Sequence, residues 1–374
     1  MIRRNMWFVV ILGSVVATQV ANADHQQLKA AQKGNPQIQS VQAIAFGPEG
    51  LLLVGDGRGK QVVAIATGDT KVNAWTKKRI PNVAGEIAGR LGTMVENIKL
   101  EKMAVNPASQ TAYIAVTKKS GKEPMIVTVN GKGQINALDL TNVTYASVSL
   151  PADANVKLIT DVAWADDRVL VAVQATDRFA SKLFSIPTPF DSKITPVVAS
   201  TNTFHVAHDR WETRAPIRTL IPYEEKGKKY VVGAFTCTPV VRYPLGGLKA
   251  GANVKGTSVI ELGNGNKPRD MFVYEKNGKK YILMNTYRFF HKRRPVGPSP
   301  YWTVRVDYDL LGEEKKVNDQ AIRRVDRNLN KLTDKAEVIE AYHGVAHMDQ
   351  LNAKQALVVR KTKDSFDVEV LPLP

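Results

Sequence analysis

Short apolar runs alternate with glycine-, proline- and Asx-rich turns along almost the whole chain. Residues 41–46 (VQAIAF) are followed by the turn 47–50 (GPEG), the run 51–54, the glycine-rich turn 55–59 and the run 62–66. The same order returns at 102–105, the Asn106-Pro107 turn and 112–116, and again at 161–164, 165–167 and 169–173. Each run is strand-length and each break carries turn chemistry, so the pattern predicts antiparallel β-hairpins. Two hairpins are near copies. Residues 223–232 (YEEKGKKYVV) reappear as 274–283 (YEKNGKKYIL), 51 positions later. The last unit reads 347–351, 356–359 and 366–370.

Equivalent positions at the start of the first strand of each unit are Ala43, Lys102, Asp161, Thr219, Asp270 and His347. Their spacings are 59, 59, 58, 51 and 77, the long interval containing a charged insertion at 311–335. A strand unit recurring at such a period cannot bury both faces alone and must stack on its neighbours. The fold class predicted is all-β, a β-propeller of six blades, with short helical insertions. Seven blades would require two units inside the final interval. A sandwich pair is a poor fit to six units, and a β-helix to units this long. Helical spacing is expected at 24–32, at 84–97 (Val83, Ile87, Leu91 and Met94 on one side) and at 319–332. The polar segment 26–39 is expected to supply an outer strand that closes the ring with the C-terminal blade.

The N-terminus changes the picture. Arg3 and Arg4, an apolar stretch at 8–16 and the small-x-small Ala21-Asn22-Ala23 form a secretory signal at 1–23, with the mature chain starting at Asp24. The apolar stretch is too short to span a bilayer. The expected organisation is therefore a signal at 1–23, a lead-in at 24–39 and one propeller at 40–374, in a periplasmic or extracellular protein. The single cysteine, Cys237, precludes an internal disulfide, and no Cys-x-x-Cys-His is present for a covalent c-type haem. Stability must come from the core.

The formal charge is +17, or +15 without Arg3 and Arg4. Such a balance favours acidic partners, namely anionic glycans, nucleic acid or a membrane surface, and the partner expected is a small-molecule ligand or an acidic protein or glycan. Much of the lysine sits in hairpin turns, and neither a basic helix nor an aromatic-rich RNA-binding motif is present, which argues against nucleic acid. The glycine-rich 55–60 lacks phosphate-loop spacing, and no Gly-x-Ser-x-Gly or EF-hand loop occurs.

Histidine carries the candidate chemistry. Five of the six lie in the last three units, and two approach related text: His205-Val-Ala-His208-Asp209 and His343-Gly-Val-Ala-His347-Met-Asp349. Loops leading into inner strands converge on one propeller face, so His205, His208, His343 and His347 are candidate ligands for zinc, copper or iron. Asp270 and Tyr287 are candidates to assist proton transfer, with Arg269 as their channel neighbour. Packing between blades is the competing role for each histidine. His291, in the basic run Phe290-His-Lys-Arg-Arg294, is expected to be no ligand. Cys237 is either a small buried hydrophobe or part of the same face, and Trp211 and Tyr287 either stack on a ring ligand or pack internally.

The runs Phe235-Thr-Cys-Thr-Pro239, Glu261-Leu-Gly-Asn-Gly-Asn266, Pro268-Arg-Asp-Met271 and Met348-Asp-Gln-Leu351 resemble exported bacterial propeller proteins over about the C-terminal half. The blade pattern is similar, more broadly, to the lactonase-like, NHL-like and peptidylglycine-lyase-like six-bladed propellers. The lyases take zinc on histidines from separate blades. Their motifs do not map residue by residue here, so no catalytic role carries over. Three functions remain open: ligand or partner binding at a His-rich channel face, a metal-dependent lyase or hydrolase, and an interaction scaffold with a basic rim.

Overall fold

The computed structural model describes residues 25–374 apart from 121–122, 238, 264, 296, 313–317, 319–320, 324–330 and 334. The signal segment and the junction before Asp24 lie outside the described residues.

Six sheets, antiparallel except for a parallel edge pair in blades 3 and 4, stand around a central channel, a six-bladed β-propeller. The innermost strands are Ala43–Phe46, Ile98–Val105, Val156–Ala165, Ile217–Glu225, Asn266–Lys276 and Val345–Asn352. They are the first strands of blades 1 to 6 in chain order, and they begin on one face, termed the N face, and end on the opposite C face. Two-residue turns close the sister hairpins. Lys226-Gly227 and Asn277-Gly278 both have positive φ (49° and 72°, 54° and 74°), the geometry of a tight hairpin that matches strand twist. Glu224 faces Lys229 and Glu275 faces Lys280 across them.

The order of blades around the ring differs from their order in the chain. Neighbouring inner strands run 1–3–4–5–6–2 and back to 1. Blade 1 therefore sits between blades 2 and 3. The chain leaves blade 1 after its third strand, Gln61–Ala66. It then lays Arg79–Ile80 on the outer edge of blade 6, builds blade 2, and returns to add Val143–Ser149 to blade 1. Arg79 donates from Nε to Asp367 Oδ2 (2.8 Å) and the Asn82 amide donates to Asp367 Oδ1 (2.9 Å), pinning this closing strand. Contrary to the expectation above, the lead-in does not close the C-terminal blade, whose outer edge is taken by Arg79–Ile80. Gln32–Gly34 pairs with Val143–Ser149 at the edge of blade 1, and Leu28–Lys29 pairs with Phe190–Asp191. It is also strand, not helix: its polar backbone satisfies its hydrogen bonds on an open sheet edge.

One apolar cluster fills each of the six blade junctions. Blade 1 shows the mechanism. Leu51 and Leu53 face blade 3, while Leu52 and Val54 face blade 2. Alternation with a period of two sends successive residues to opposite neighbours, so a strand buried on both sides reads as a continuous apolar run. Each such side chain contributes about 1.5–3 kcal/mol on burial. Helix Val83–Arg90 adds Val83, Ile87 and Ala88 to the blade 2–blade 6 seam, and a short 3-10 turn at Val95–Asn97 ends that insertion. The predicted helix at 319–332 does not form at its described ends. Ile322–Arg323 extends blade 4 and Lys331–Thr333 extends blade 5. Among the described residues no helix is long and apolar enough to cross a membrane.

Candidate functional site: the N-face mouth of the channel

Five inner strands carry a ladder irregularity just after they begin: at Leu100/Lys102, Ile159/Asp161, Ile217/Thr219, Pro268/Met271 and Val345/His347. A bulge leaves an extra residue unpaired and re-aims its neighbours. Here it turns the aligned positions toward the axis. Lys102 Nζ lies 3.0 Å from Asp161 Oδ1 and 3.1 Å from Asp270 Oδ1, and donates to the Arg269 carbonyl at 2.9 Å. Asp161 Oδ2 accepts from the Leu220 amide at 2.9 Å, tying in blade 4. Asp270 Oδ2 sits 3.2 Å from His347 Nδ1, and Arg269 Nη2 sits 2.6 Å from His347 Nε2. A guanidinium can only donate, so Nε2 is the acceptor and Nδ1 carries the proton given to Asp270. Residues from five blades thus form one ion-paired layer across the channel.

Burial governs the ionisation in this layer. It works against charge on Lys102, but Asp161 and Asp270 more than offset it and the ammonium is held above its ordinary range. Burial raises Asp161, with Lys102 opposing. For Asp270 burial is outweighed by Lys102 and His347, and its carboxyl lies well below the usual range. Burial and the neighbouring Arg269 lower His347, so it is neutral near pH 7.

The layer divides the channel into two cavities. The N-face cavity, about 250 Å³, takes residues from all six blades: Gln42, Lys99, Glu101, Lys102, Leu158–Thr160, Arg218, Lys267–Arg269 and His347. The C-face cavity, about 600 Å³, mixes apolar walls (Phe46, Trp164, Met271 and Met348) with polar ones, Asp349 adding a carboxylate to those of the layer. Asp349 accepts from the Val105 amide (2.7 Å) and the Gln350 amide (2.8 Å), yet burial pushes its pKa up to about 6.

Charge in the N-face cavity does not cancel. Lys102 pairs with both Asp161 and Asp270, the charge of Arg269 is set against that of Asp270 nearby, and Lys99 pairs with Glu101 at 2.5 Å. Arg218 and Lys267 remain. Arg218 Nε is buried without a hydrogen-bond partner among the described residues. Burial first, then Arg269, brings the Arg218 pKa down to about 10. Burial, Arg218 and Arg269 bring Lys267 down to about 8.

The structure brings together three of the residues singled out from sequence, Arg269, Asp270 and His347. It separates the other histidines from them. The His205 and His208 rings lie 4.3 Å apart, tilted by 50°, on the loop before blade 4. His205 lines a different cavity, of about 810 Å³, with Trp211, Glu212, Arg178 and Arg214. Burial lowers its pKa to about 4, and its Nε2 lies 3.9 Å from Glu261 Oε1. His343 is half-buried at the start of blade 6, its carbonyl accepting from Arg360. Tyr287 packs on Tyr301 with ring centroids 5.1 Å apart, opposite Lys267 in the ladder. Cys237 is in no disulfide, and its amide donates to the Asn266 carbonyl at 2.7 Å. His291 sits in a hydrogen-bonded turn of the basic loop. Among the described residues no group of three or more His, Cys, Asp or Glu side chains is arranged to hold a metal ion. Both ring nitrogens of His347 are engaged, by Asp270 and Arg269.

Sequence reasoning passed over Arg218 and Lys267. The signal lay one place before the aligned set, at Gln42, Glu101, Thr160, Arg218, Arg269 and Ala346, where only the last is apolar. Without the bulges these residues read as the outward side of the strand.

No family model and no characterised protein sequence matches the chain. Solved structures similar to it include GH43B of the Bacteroides ovatus xyloglucan locus. The identity there is 11% and the TM-score 0.35, over 71% of this chain and 50% of that one. The Trypanosoma rangeli sialidase gives 13% identity and a TM-score of 0.35, over 88% and 53%. The Malassezia sympodialis allergen Mala s 1 gives 6% and 0.38, over 91% and 95%. The chain spans about half the length of the first two.

Proposed function

We propose that this protein is an exported propeller that binds a small dianion at the N-face mouth of its channel. The observation that carries the reading is Arg218, a largely buried guanidinium with an unpartnered Nε, next to Arg269 and Lys267. Burying an unpaired charge is costly, and the cost is recovered when a counter-ion arrives. Two positive charges are left after the internal pairs are matched, which sets the ligand charge. A cavity of about 250 Å³ sets an upper limit on its size, with room for phosphate or a short dicarboxylate and accompanying water. Arg218 offers a planar fork for two oxygens, and Lys267 a point charge. Its lowered pKa means that a bound anion also holds its proton in place. The ion-paired layer beneath forms a rigid floor.

Isothermal titration of the mature protein with phosphate, sulfate and succinate tests this. At least one is expected to bind, with affinity reduced ~10-fold or more in Arg218→Met. The same variant, without ligand, is expected to be as stable as the wild type or more so, because it removes an uncompensated buried charge. Binding of none of the three anions, or binding unchanged in a folded Arg218→Met protein, overturns the reading.

A further inference from the structure

The loop after the second strand of blade 5 carries a feature that the channel does not use. Phe289 and Phe290 are 40% and 50% exposed, and they are the only aromatic side chains among the exposed large hydrophobics of the described residues. Their rings pack edge-to-face at 4.8 Å. Lys292, Arg293 and Arg294 follow, all exposed and without an ion-pair partner among the described residues. The segment is held in shape by its own backbone. The amides of His291, Arg293 and Arg294 donate to the carbonyls of Arg288 and Phe290 at 2.9–3.2 Å, and the Phe289 amide donates to Gly265 at 3.0 Å. Gly265 is two residues before Lys267, so the loop stands on the N face. Phe290 rests on Gly265, where an added Cβ would come within 2.7 Å of its ring.

Water-exposed aromatic pairs are unfavourable unless something covers them. Exposed lysine and arginine immediately beside them select an anionic cover. We infer that this loop docks the N face on an anionic phospholipid surface, the two rings entering the headgroup boundary and the three cations meeting lipid phosphates. An acidic protein would satisfy the cations, but it would also need an apolar pocket for two adjacent rings. A lipid interface supplies both layers at once. The hydrogen-bonded turns present the rings without further ordering cost.

Co-sedimentation with phosphatidylcholine vesicles containing phosphatidylglycerol tests the inference. The wild type is expected to bind these vesicles, to bind pure phosphatidylcholine far less, and to be released by high salt. Each cation near an anionic surface strengthens binding ~5-fold, so Lys292→Gln/Arg293→Gln/Arg294→Gln should weaken it ~100-fold. Phe289→Ser/Phe290→Ser should weaken it ~10-fold or more at fixed charge. These positions are exposed, and urea unfolding followed by tryptophan fluorescence checks that each variant is intact. No binding to the charged vesicles overturns the inference. So does binding indifferent to the Phe substitutions, or retention on a polyglutamate column with no retention by vesicles, which would mark an acidic polymer as the partner. The channel site can fail its own test without touching this one.

Discussion

Replacing Lys102 with methionine tests the logic of the channel layer most directly. The ammonium is 3.0 Å and 3.1 Å from two carboxylates whose side chains are only 5% and 4% exposed. At an effective dielectric of 20, each pair is worth about 5 kcal/mol of Coulomb attraction, most of it spent on desolvation. Removing the lysine leaves that desolvation uncompensated, and a cost of about 3–5 kcal/mol is expected near neutral pH. The pH dependence has a definite sign. Asp161 is raised by burial even with Lys102 present, and without it goes higher. The variant's native state then holds more protons than its unfolded state, so its stability falls as pH rises. The deficit relative to wild type should be largest above neutrality and shrink toward pH ~4, where the carboxylates are protonated in both states. Lys102→Met/Asp161→Asn should recover part of the loss, because one buried charge goes with its partner. Urea unfolding followed by tryptophan fluorescence, across pH, reads all three proteins. A single variant within about 1 kcal/mol of wild type at pH 7, with no pH dependence of the difference, would refute the reasoning.

Three further outcomes follow from the same geometry. His205 is buried neutral with its pKa lowered to about 4, so its contribution to stability is complete above its unfolded value of ~6.5 and lost as pH falls toward 4; denaturant titration of His205→Leu should show that acid-side loss reduced. Asp349 is raised to about 6, so its favourable term is present below ~4 and lost as pH rises through 6; Asp349→Asn should flatten the stability profile over that interval, and an unchanged profile would place the carboxyl's ionisation elsewhere. His205 and His347 line separate cavities, so the stability effects of His205→Ala and His347→Ala should add within ~0.5 kcal/mol; strong non-additivity, together with bound zinc, copper or iron by elemental analysis, would instead revive a shared metal site.

Part of the candidate site is legible in the sequence alone. Aligning the units placed Lys102, Asp161, Asp270 and His347 at equivalent positions, and those side chains do meet on the axis. The His-rich face did not hold together, because related text is not equivalent position. His347 lies on its inner strand past a bulge, whereas His205 and His208 belong to a short turn before theirs. Arg218 needed the bulge itself, which no local propensity announces.

The chain's own pattern determined an all-β fold, six repeating units, the sister hairpin turns and an export signal as expectation, because turn chemistry and period-two burial are local properties written in adjacent residues. Which blades are neighbours was decided only in three dimensions. Strand ladders are made of backbone groups that every residue carries, so nothing in Arg79–Ile80 names the edge of blade 6 as its partner. Ionic pairing was decided there too. Lys102 meets the carbonyl of Arg269 across 167 residues of chain, and His347 lies against Asp270 across 77. Whether a buried charge ends up matched, like Lys102, or waiting for a ligand, like Arg218, depends on which other blades close around it.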